Sequence, residues 1–378
     1  MVTAFSILSF VAFALANPLP ASNSLEARDS CTINSLSTVS AAEKCSTITI
    51  DAFTVPAGQK LVINAADKAV INMNGNIVFT ADTTFKTTGP LFTLSGTGIT
   101  FNGNGFTIDG QGAKYWDGQG SSSSAKQPKP HPMIKLSCSG TVKNVKVLNS
   151  PAQVFSMGND AALIVSGINI DNSAGNSANS LSGGKPAAHN TDGFDVSTSD
   201  VTIQDSTIIN QDDCLAINKG SNIKFLNNKC TGGHGISIGS IASGSTVSNV
   251  NITGNTITGN VQALRIKTDK DATSGSVSGV TYSGNTATKC TTYGVIIDQS
   301  YPDTLGKAGA GVKISGITFT GTNSIEVDSS AKGEIEVNCA EGGCSGTWDW
   351  NGLQVSGGPS GSILNADIPK FKSITKSS

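Results

Sequence analysis

The chain has 378 residues, of which 43 are glycine, 6% are aromatic and 14% are charged, with a formal net charge of −2. So few charged residues leave little material for amphipathic helices, whereas the abundant Ser, Thr, Asn and Gly suit short strands and turns. With no basic tail or stripe, nucleic acid is excluded as a general partner, although a local cationic site on such a protein can still bind carboxylates.

The chain begins with an apolar stretch, residues 1–16 (Phe5, Ile7, Leu8, Phe10, Val11, Phe13), that ends in the small-x-small pattern Ala14-Leu15-Ala16. This is read as a signal peptide, because the run is too short to cross a bilayer. No later stretch approaches the roughly 20 apolar residues a span needs, so no membrane is expected and the protein is read as secreted and extracellular. Residues 17–28 are small and polar, and Arg28 precedes Asp29, as in a short propeptide cut after a basic residue. The remainder, 29–378, carries no linker and is taken as one catalytic domain.

Secretion frames the eight cysteines as disulfide formers rather than metal ligands. Three local pairs suggest themselves: Cys31 with Cys45, Cys214 with Cys230, and Cys339 with Cys344. Cys138 and Cys290 are left to pair with each other or to remain buried thiols. Asn251-Ile252-Thr253 is a glycosylation sequon.

Residues 31–61 are expected to cap the open edge of the fold. From residue 99 onward one phrase recurs: a small or polar residue, then two β-branched or aromatic positions flanking a polar one. Copies are Gly98-Ile99-Thr100-Phe101, Asn144-Val145-Lys146-Val147, Gly167-Ile168-Asn169-Ile170, Asp200-Val201-Thr202-Ile203 and Asn222-Ile223-Lys224-Phe225. Asn249-Val250-Asn251-Ile252, Gly279-Val280-Thr281-Tyr282 and Gly316-Ile317-Thr318-Phe319 complete the set. Most lie roughly 22 to 37 residues apart, a repeat-architecture period. Four residues after each first apolar anchor there is usually a turn former: Asn149, Asn172, Asp205, Asn227, Gly254, Gly284 or Gly321.

Such a unit cannot bury its apolar face alone. Stacking coil on coil does so, which predicts an all-β chain: a right-handed parallel β-helix, a single-domain solenoid with a short N-terminal cap. An antiparallel sandwich also uses many short strands, but the long irregular period disfavours it. Residues 339–350 and the Ser/Lys-rich tail are expected to close the last coil.

Polar and charged residues then concentrate in Asn190-Thr191-Asp192, Gln211-Asp212-Asp213-Cys214, Gly233-His234-Gly235, Arg265-Ile266-Lys267 and Tyr301. Asp192, Asp213 and His234 follow one another at roughly 21-residue intervals, near the shortest coil length, so they are expected on successive coils of one wall about 4.8 Å apart. Arg265 and Lys267, two apart on a strand, share a face while Ile266 enters the core, and together they would grip a carboxylate. Crowded aspartates raise one another's pKa, supplying a general acid beside carboxylates that activate water, the division of labour of glycoside hydrolysis.

Consecutive side chains of a regular strand face opposite ways, so for Asp212 and Asp213 to act together a bulge or turn must intervene, fixed by Cys214 if it is bridged. Taken singly, each motif has a bland reading: a solvated Asp-Asp turn, an exposed histidine between glycines, an edge strand protected by charge, an Asx turn. Their joint order, in register with the coil period, favours a site. No HxH or HExxH spacing supports a metal, and neither metal nor cofactor is expected.

The ordered set from Asn190 to Tyr301 resembles the fungal polygalacturonases of glycoside hydrolase family 28. Asp29-Ser30-Cys31, Val55-Pro56-Ala57-Gly58, Tyr115-Trp116-Asp117-Gly118 and Gly275-Ser276-Val277-Ser278 extend the likeness over nearly the whole mature chain. The resemblance implies inverting hydrolysis of internal α-1,4-galacturonosyl bonds of polygalacturonan by a monomer. Asp212 would be the general acid, Asp192 and Asp213 would position and deprotonate water, and His234 would maintain the acid's protonation. Arg265 and Lys267 would bind galacturonate carboxylates, Asn190 would line the groove and Tyr301 would contact the sugar near the cleavage point.

Two points stand apart from that pattern. One-coil spacing places carboxylates closer than the roughly 6.5–9.5 Å usual for inversion, and the chain lacks the disulfide that fungal relatives carry at the extreme C-terminus. Rival readings are a pectate or pectin lyase, a hydrolase of rhamnogalacturonan or xylogalacturonan, and a non-catalytic polysaccharide-binding β-helix. The loops 118–132 and 173–186 are candidates to wall the cleft.

Overall fold

A computed structural model of the chain describes residues 1, 31–84, 89–369 and 372–373. Beyond Met1, the expected leader, the propeptide and the tail at 374–378 lie outside the described residues. From Thr47 onward the chain winds through three walls of short strands, and successive coils pair in parallel, giving a right-handed parallel β-helix. Two walls merge into one 21-stranded sheet because the long strands Phe92–Asn102 and Ile134–Lys143 belong to both; the third wall is a 12-stranded sheet.

The repeated phrase divides between two walls. Most copies lie on the second wall, where Ile203 pairs with Phe225, Phe225 with Ile252, Ile252 with Tyr282 and Tyr282 with Phe319, all buried. The copies at 144–147 and 167–170 instead feed the third-wall strands Lys146–Leu148 and Asn169–Asp171. Both kinds open on a left-handed residue, Asn144 and Gly167 in one case and Asp200 and Asn222 in the other, so the two walls share one local signature. Asn149 and Asn172 therefore sit at a different corner from Asp205, Asn227, Gly254, Gly284 and Gly321, and Asn172 is not left-handed, with φ of −111°.

At the corner between second and third walls a ladder of buried asparagines joins the coils. The backbone N–H of Asn228 donates to Asn255 Oδ1 (2.8 Å), that of Asn255 to Asn285 Oδ1 (3.0 Å) and that of Asn285 to Asn323 Oδ1 (3.1 Å). Every member is fully buried, and such groups persist in an interior only when paired. Phe155, Phe194 and Phe225 stack in the core, and Tyr282, Phe319, Trp350 and Trp348 fill its C-terminal end.

The N-terminal cap is shorter than expected. The turn Leu36–Thr38 and the helix Val39–Ala42 cover the first coil with Val39 and Ala42, but Thr47–Ile50, Phe53–Val55 and Leu61–Asn64 already belong to the walls. Disulfides join Cys31 to Cys45, Cys214 to Cys230 and Cys339 to Cys344. Cys138 and Cys290 are buried free thiols, each pushed up to about 12 by burial. Asn251 stands mid-strand on the second wall, partly exposed.

Candidate active site

Five successive strands of the first wall carry the site: Phe194–Val196, Asp213–Ile217, Gly235–Ile241, Gln262–Asp269 and Tyr293–Tyr301. Their inward residues Phe194, Leu215, Ile236, Leu264 and Val295 pair in register and are buried, which turns the alternate positions outward. Asn190, Asp192, Asp212, Asp213, His234, Arg265, Lys267 and Tyr301 all line one outward cavity of about 390 Å³.

The consecutive aspartates both reach it because the strand is irregular. Asp213 pairs with Gly235, but Leu215 pairs with Ile236, so Cys214 is an extra residue opposite no partner. Its disulfide to Cys230 ties this bulge to the third wall. The bulge also corrects the expected ladder. Ahead of it the coil is one residue longer, so His234 stacks on Asp212 and not on Asp213: the His234 N–H donates to Asp212 O (2.8 Å), and His234 Nδ1 lies 2.9 Å from Asp212 Oδ1. A Cβ on Gly233 would strike the Asp212 carbonyl, and one on Gly235 the Gln262 carbonyl. Only glycine on both sides lets the histidine enter.

Asp212 Oδ1 also accepts the Asp213 N–H (2.8 Å), and Oδ2 accepts Asn190 Nδ2 (3.1 Å). Asn190 itself, left-handed at φ 51°, takes the Ser121 N–H on Oδ1 (3.3 Å). Asp213 accepts Ser237 Oγ on Oδ1 (2.6 Å) and Lys267 Nζ on Oδ2 (2.8 Å). Lys267 lies 5.4 Å from the Tyr301 ring centroid, a cation–π contact that fixes the ring beside the ammonium. Ile266 is buried in the core, leaving Arg265 and Lys267 on the groove face.

These contacts set the charges. Burial works to raise Asp212, but the hydrogen bond and charge of His234, then Lys267, outweigh it and pull the carboxyl down to about 2. His234 is raised: burial opposes its charge, yet the Asp212 hydrogen bond and charge prevail. Lys267 is likewise raised, by the Asp213 charge against burial. Asp192 is the acid driven upward, first by burial and then by Asp212, Asp195 and Asp213. Its Oδ1 is buried with no hydrogen-bond partner, as is Arg265 Nε.

Asp212, Asp213 and His234 offer ligand atoms within 4.8 Å of one another, close enough for a metal ion. Their donor set disfavours one, because the Lys267 ammonium already neutralises Asp213 and His234 Nδ1 is committed to Asp212.

Sequence reasoning missed Asp195, His189, Gln153 and Asn218, which line the same cavity. Asp195 follows the buried Phe194 on its strand and so takes the outward face. His189 also lines a neighbouring cavity of about 600 Å³ walled by Gly118, Gln119 and Ser122 on one loop and Lys185 and Pro186 on another. A third cavity of about 190 Å³, toward the C-terminal coils, shares His234 and Arg265 and reaches Lys332. Both of these cavities meet the central one at His234.

An acid–base cluster beside a cation pair in such a groove defines a glycosidase built on a β-helix. Residues 45–373 match the family described as Glycosyl hydrolases family 28. An endo-polygalacturonase of Sclerotinia sclerotiorum is 41% identical over 342 residues, covering 87% of this chain and 84% of that protein. A polygalacturonase of Saccharomyces cerevisiae is 42% identical over 376 residues, covering 95% and 96%. Among solved structures, endopolygalacturonase I from Stereum purpureum, complexed with two galacturonates, superposes with a TM-score of 0.82 at 49% identity, covering 88% of this chain and 96% of that one. The chain belongs to glycosyl hydrolase family 28.

Proposed function

We propose that the protein hydrolyses internal α-1,4-galacturonosyl linkages of polygalacturonan with inversion, as a secreted monomer. The observation that carries this reading is the placement of Arg265 and Lys267 in the same cavity as Asp192, Asp212 and Asp213. The cations select a carboxylated sugar beside the bond that the aspartates break. Two further cavities meet the central one at His234 and leave room for sugars beyond the cleaved bond, which favours internal cleavage.

In the proposed mechanism the His234–Asp212 pair stores one proton. It rests on the imidazole while water reaches the site. Once bound sugar excludes water, ionised pairs become costlier, and the proton passes to Asp212 and then to the leaving oxygen. Asp213, held by Ser237 and Lys267, accepts the proton of a water that Asp192 helps to position on the opposite side of the anomeric carbon. Asn190 holds Asp212 in place, and Tyr301, stacked by Lys267, meets the neighbouring sugar.

The test is incubation with polygalacturonic acid, following reducing ends, ultraviolet absorbance and product sizes together, with and without chelator. New reducing ends, a spread of oligomers and no absorbance change, all insensitive to chelator, are expected. Unsaturated, absorbing products would replace hydrolysis with elimination, and release of monomer alone would replace internal with terminal attack.

A further inference from the structure

Away from the carboxylate cluster, Asp117 and Lys129 form an ion pair of 2.7 Å with both side chains almost wholly buried. Neither residue lines the central cavity. Apolar residues of similar volume can often replace a buried ion pair without loss of stability. What they could not replace is the set of donors that Asp117 holds. Its Oδ1 accepts the Gln119 N–H (3.0 Å) as well as Lys129 Nζ, and its Oδ2 accepts the Lys126 N–H (2.7 Å). One carboxylate therefore pins both ends of a loop whose middle, Gly120-Ser121-Ser122-Ser123-Ser124, has the composition of a flexible linker.

The middle of that loop sits against the site. The Ser121 N–H donates to Asn190 Oδ1 (3.3 Å), and Asn190 Nδ2 donates to Asp212 Oδ2 (3.1 Å). An amide has its acceptor on one side and its donors on the other, so the Ser121 bond decides which way Asn190 faces. Turned over, Asn190 would present its oxygen to the Asp212 carboxylate, which has no proton to give when ionised. Gly120, left-handed at φ 58°, completes the seat, because a Cβ there would collide with Asn190 Oδ1. Gln153 Nε2 donates to the Ser121 hydroxyl (3.2 Å) from the opposite side of the loop. We propose that Asp117 and Lys129 are positioning residues for the general acid, acting through Ser121 and Asn190. The buried pair fixes the loop, the loop orients the Asn190 amide, and the amide aims Asp212. This rests on the reading of Asp212 as the acid. The Gly118 N–H, bonded to Ala187 O (2.8 Å), and Lys126 Nζ, bonded to Leu181 O (3.0 Å), tie the flanks of the loop to its neighbour. Loss of the pair is therefore expected to free the middle of the loop without unfolding the wall.

The experiment measures kcat and KM on polygalacturonic acid for wild type, the double variant Asp117→Leu/Lys129→Met, Asn190→Ala and the triple variant, with circular dichroism as the control for folding. Wild-type release of reducing ends, and its loss in Asp212→Asn, test the underlying reading by themselves. The double variant strands no buried charge. A fall in kcat of about tenfold with a smaller change in KM is expected, the worth of one misplaced hydrogen bond to a charged group. The triple variant should have the kcat of Asn190→Ala alone, because changes that break one relay do not add. The proposal is overturned if the double variant keeps the wild-type kcat and only KM rises, since the loop would then merely wall a cavity. It is also overturned if the two losses multiply in the triple variant. Should the double variant fail to fold, Gly120→Ala decides, because it leaves the buried pair intact and displaces Asn190 directly. A wild-type kcat in Gly120→Ala overturns the proposal, and a fall that adds nothing to that of Asn190→Ala supports it.

Discussion

Lys267 Nζ stands 2.8 Å from Asp213 Oδ2, with both side chains almost wholly buried. One ammonium therefore neutralises the Asp213 carboxylate, stacks on Tyr301 and faces the cavity. Removing one partner of a buried pair strands the other, at a cost of about 3–5 kcal/mol. Lys267→Ala is expected to lose that much stability in denaturant titrations and to lower kcat/KM at least about a hundredfold. A variant that keeps near-wild-type turnover would dissociate the cation from catalysis.

Asp212 carries a separate expectation. Asp212→Asn removes both the proton path and the anion that holds His234, and should reduce kcat about a thousandfold or more while the fold persists. Circular dichroism on the same sample controls for folding, and near-normal turnover would exclude Asp212 as the acid. His234→Ala should instead move the pH profile, because Asp212 loses the partner that keeps it low.

Stability should depend on pH with a definite sign. Asp195 is raised from 3.8 to about 7 in the fold, and Asp192 is raised too. The folded state thus binds more protons than the unfolded chain, and the Asp195 contribution is complete below about pH 4 and lost as pH climbs through about 7. The lowered Asp212 works oppositely, but its contribution is lost only as pH falls from 3.8 through about 2. Melting temperature should therefore decline between about pH 4 and about pH 7, and less steeply in Asp195→Asn.

Cys214–Cys230 closes a loop with a sequence separation of 16, for which about 3 kcal/mol of stabilisation is expected. Because Cys214 is the bulged residue behind Asp213, Cys230→Ser should lower activity in the surviving folded fraction as well as stability. Loss of stability without loss of specific activity would show that the bulge holds unaided.

Asp298 is a buried anchor behind the site. It accepts Ser300 N (2.9 Å), Ser300 Oγ (2.7 Å) and Asn338 Nδ2 (2.9 Å) on Oδ1, and Leu305 N (2.7 Å) on Oδ2. These bonds fold the chain back after Tyr301. Asp298→Ala should destabilise by about 2 kcal/mol or more and raise KM by letting Tyr301 drift. A KM equal to wild type would show that Lys267 alone fixes the ring.

The solenoid was legible because each coil repeats a turn former and an alternating pair, and the site because its charged motifs recur at one coil length. The walls were not separable, since a left-handed residue followed by alternation begins strands of the second and third alike. Nor was the His234–Asp212 pairing, because one extra residue at Cys214 shifts the register in a way spacing cannot reveal. Asp195 escaped because it sits among ordinary strand residues, and only register places it on the same wall as Arg265.

The asparagine ladder bears on how such a chain can change. Along the ladder two residues join these walls: Asn227-Asn228 between Leu226 and Lys229, Gly254-Asn255 between Thr253 and Thr256, Gly284-Asn285 between Ser283 and Thr286. An insertion there would break the asparagine hydrogen bonds to the coils on either side. The other corners vary freely, from Ile241–Ser245 to the long excursion from Tyr301 to Lys313. The second of these borders the groove through Tyr301 and Thr304. Lineages can therefore remodel the cleft by lengthening loops at its rim, while one rigid seam keeps every coil in step.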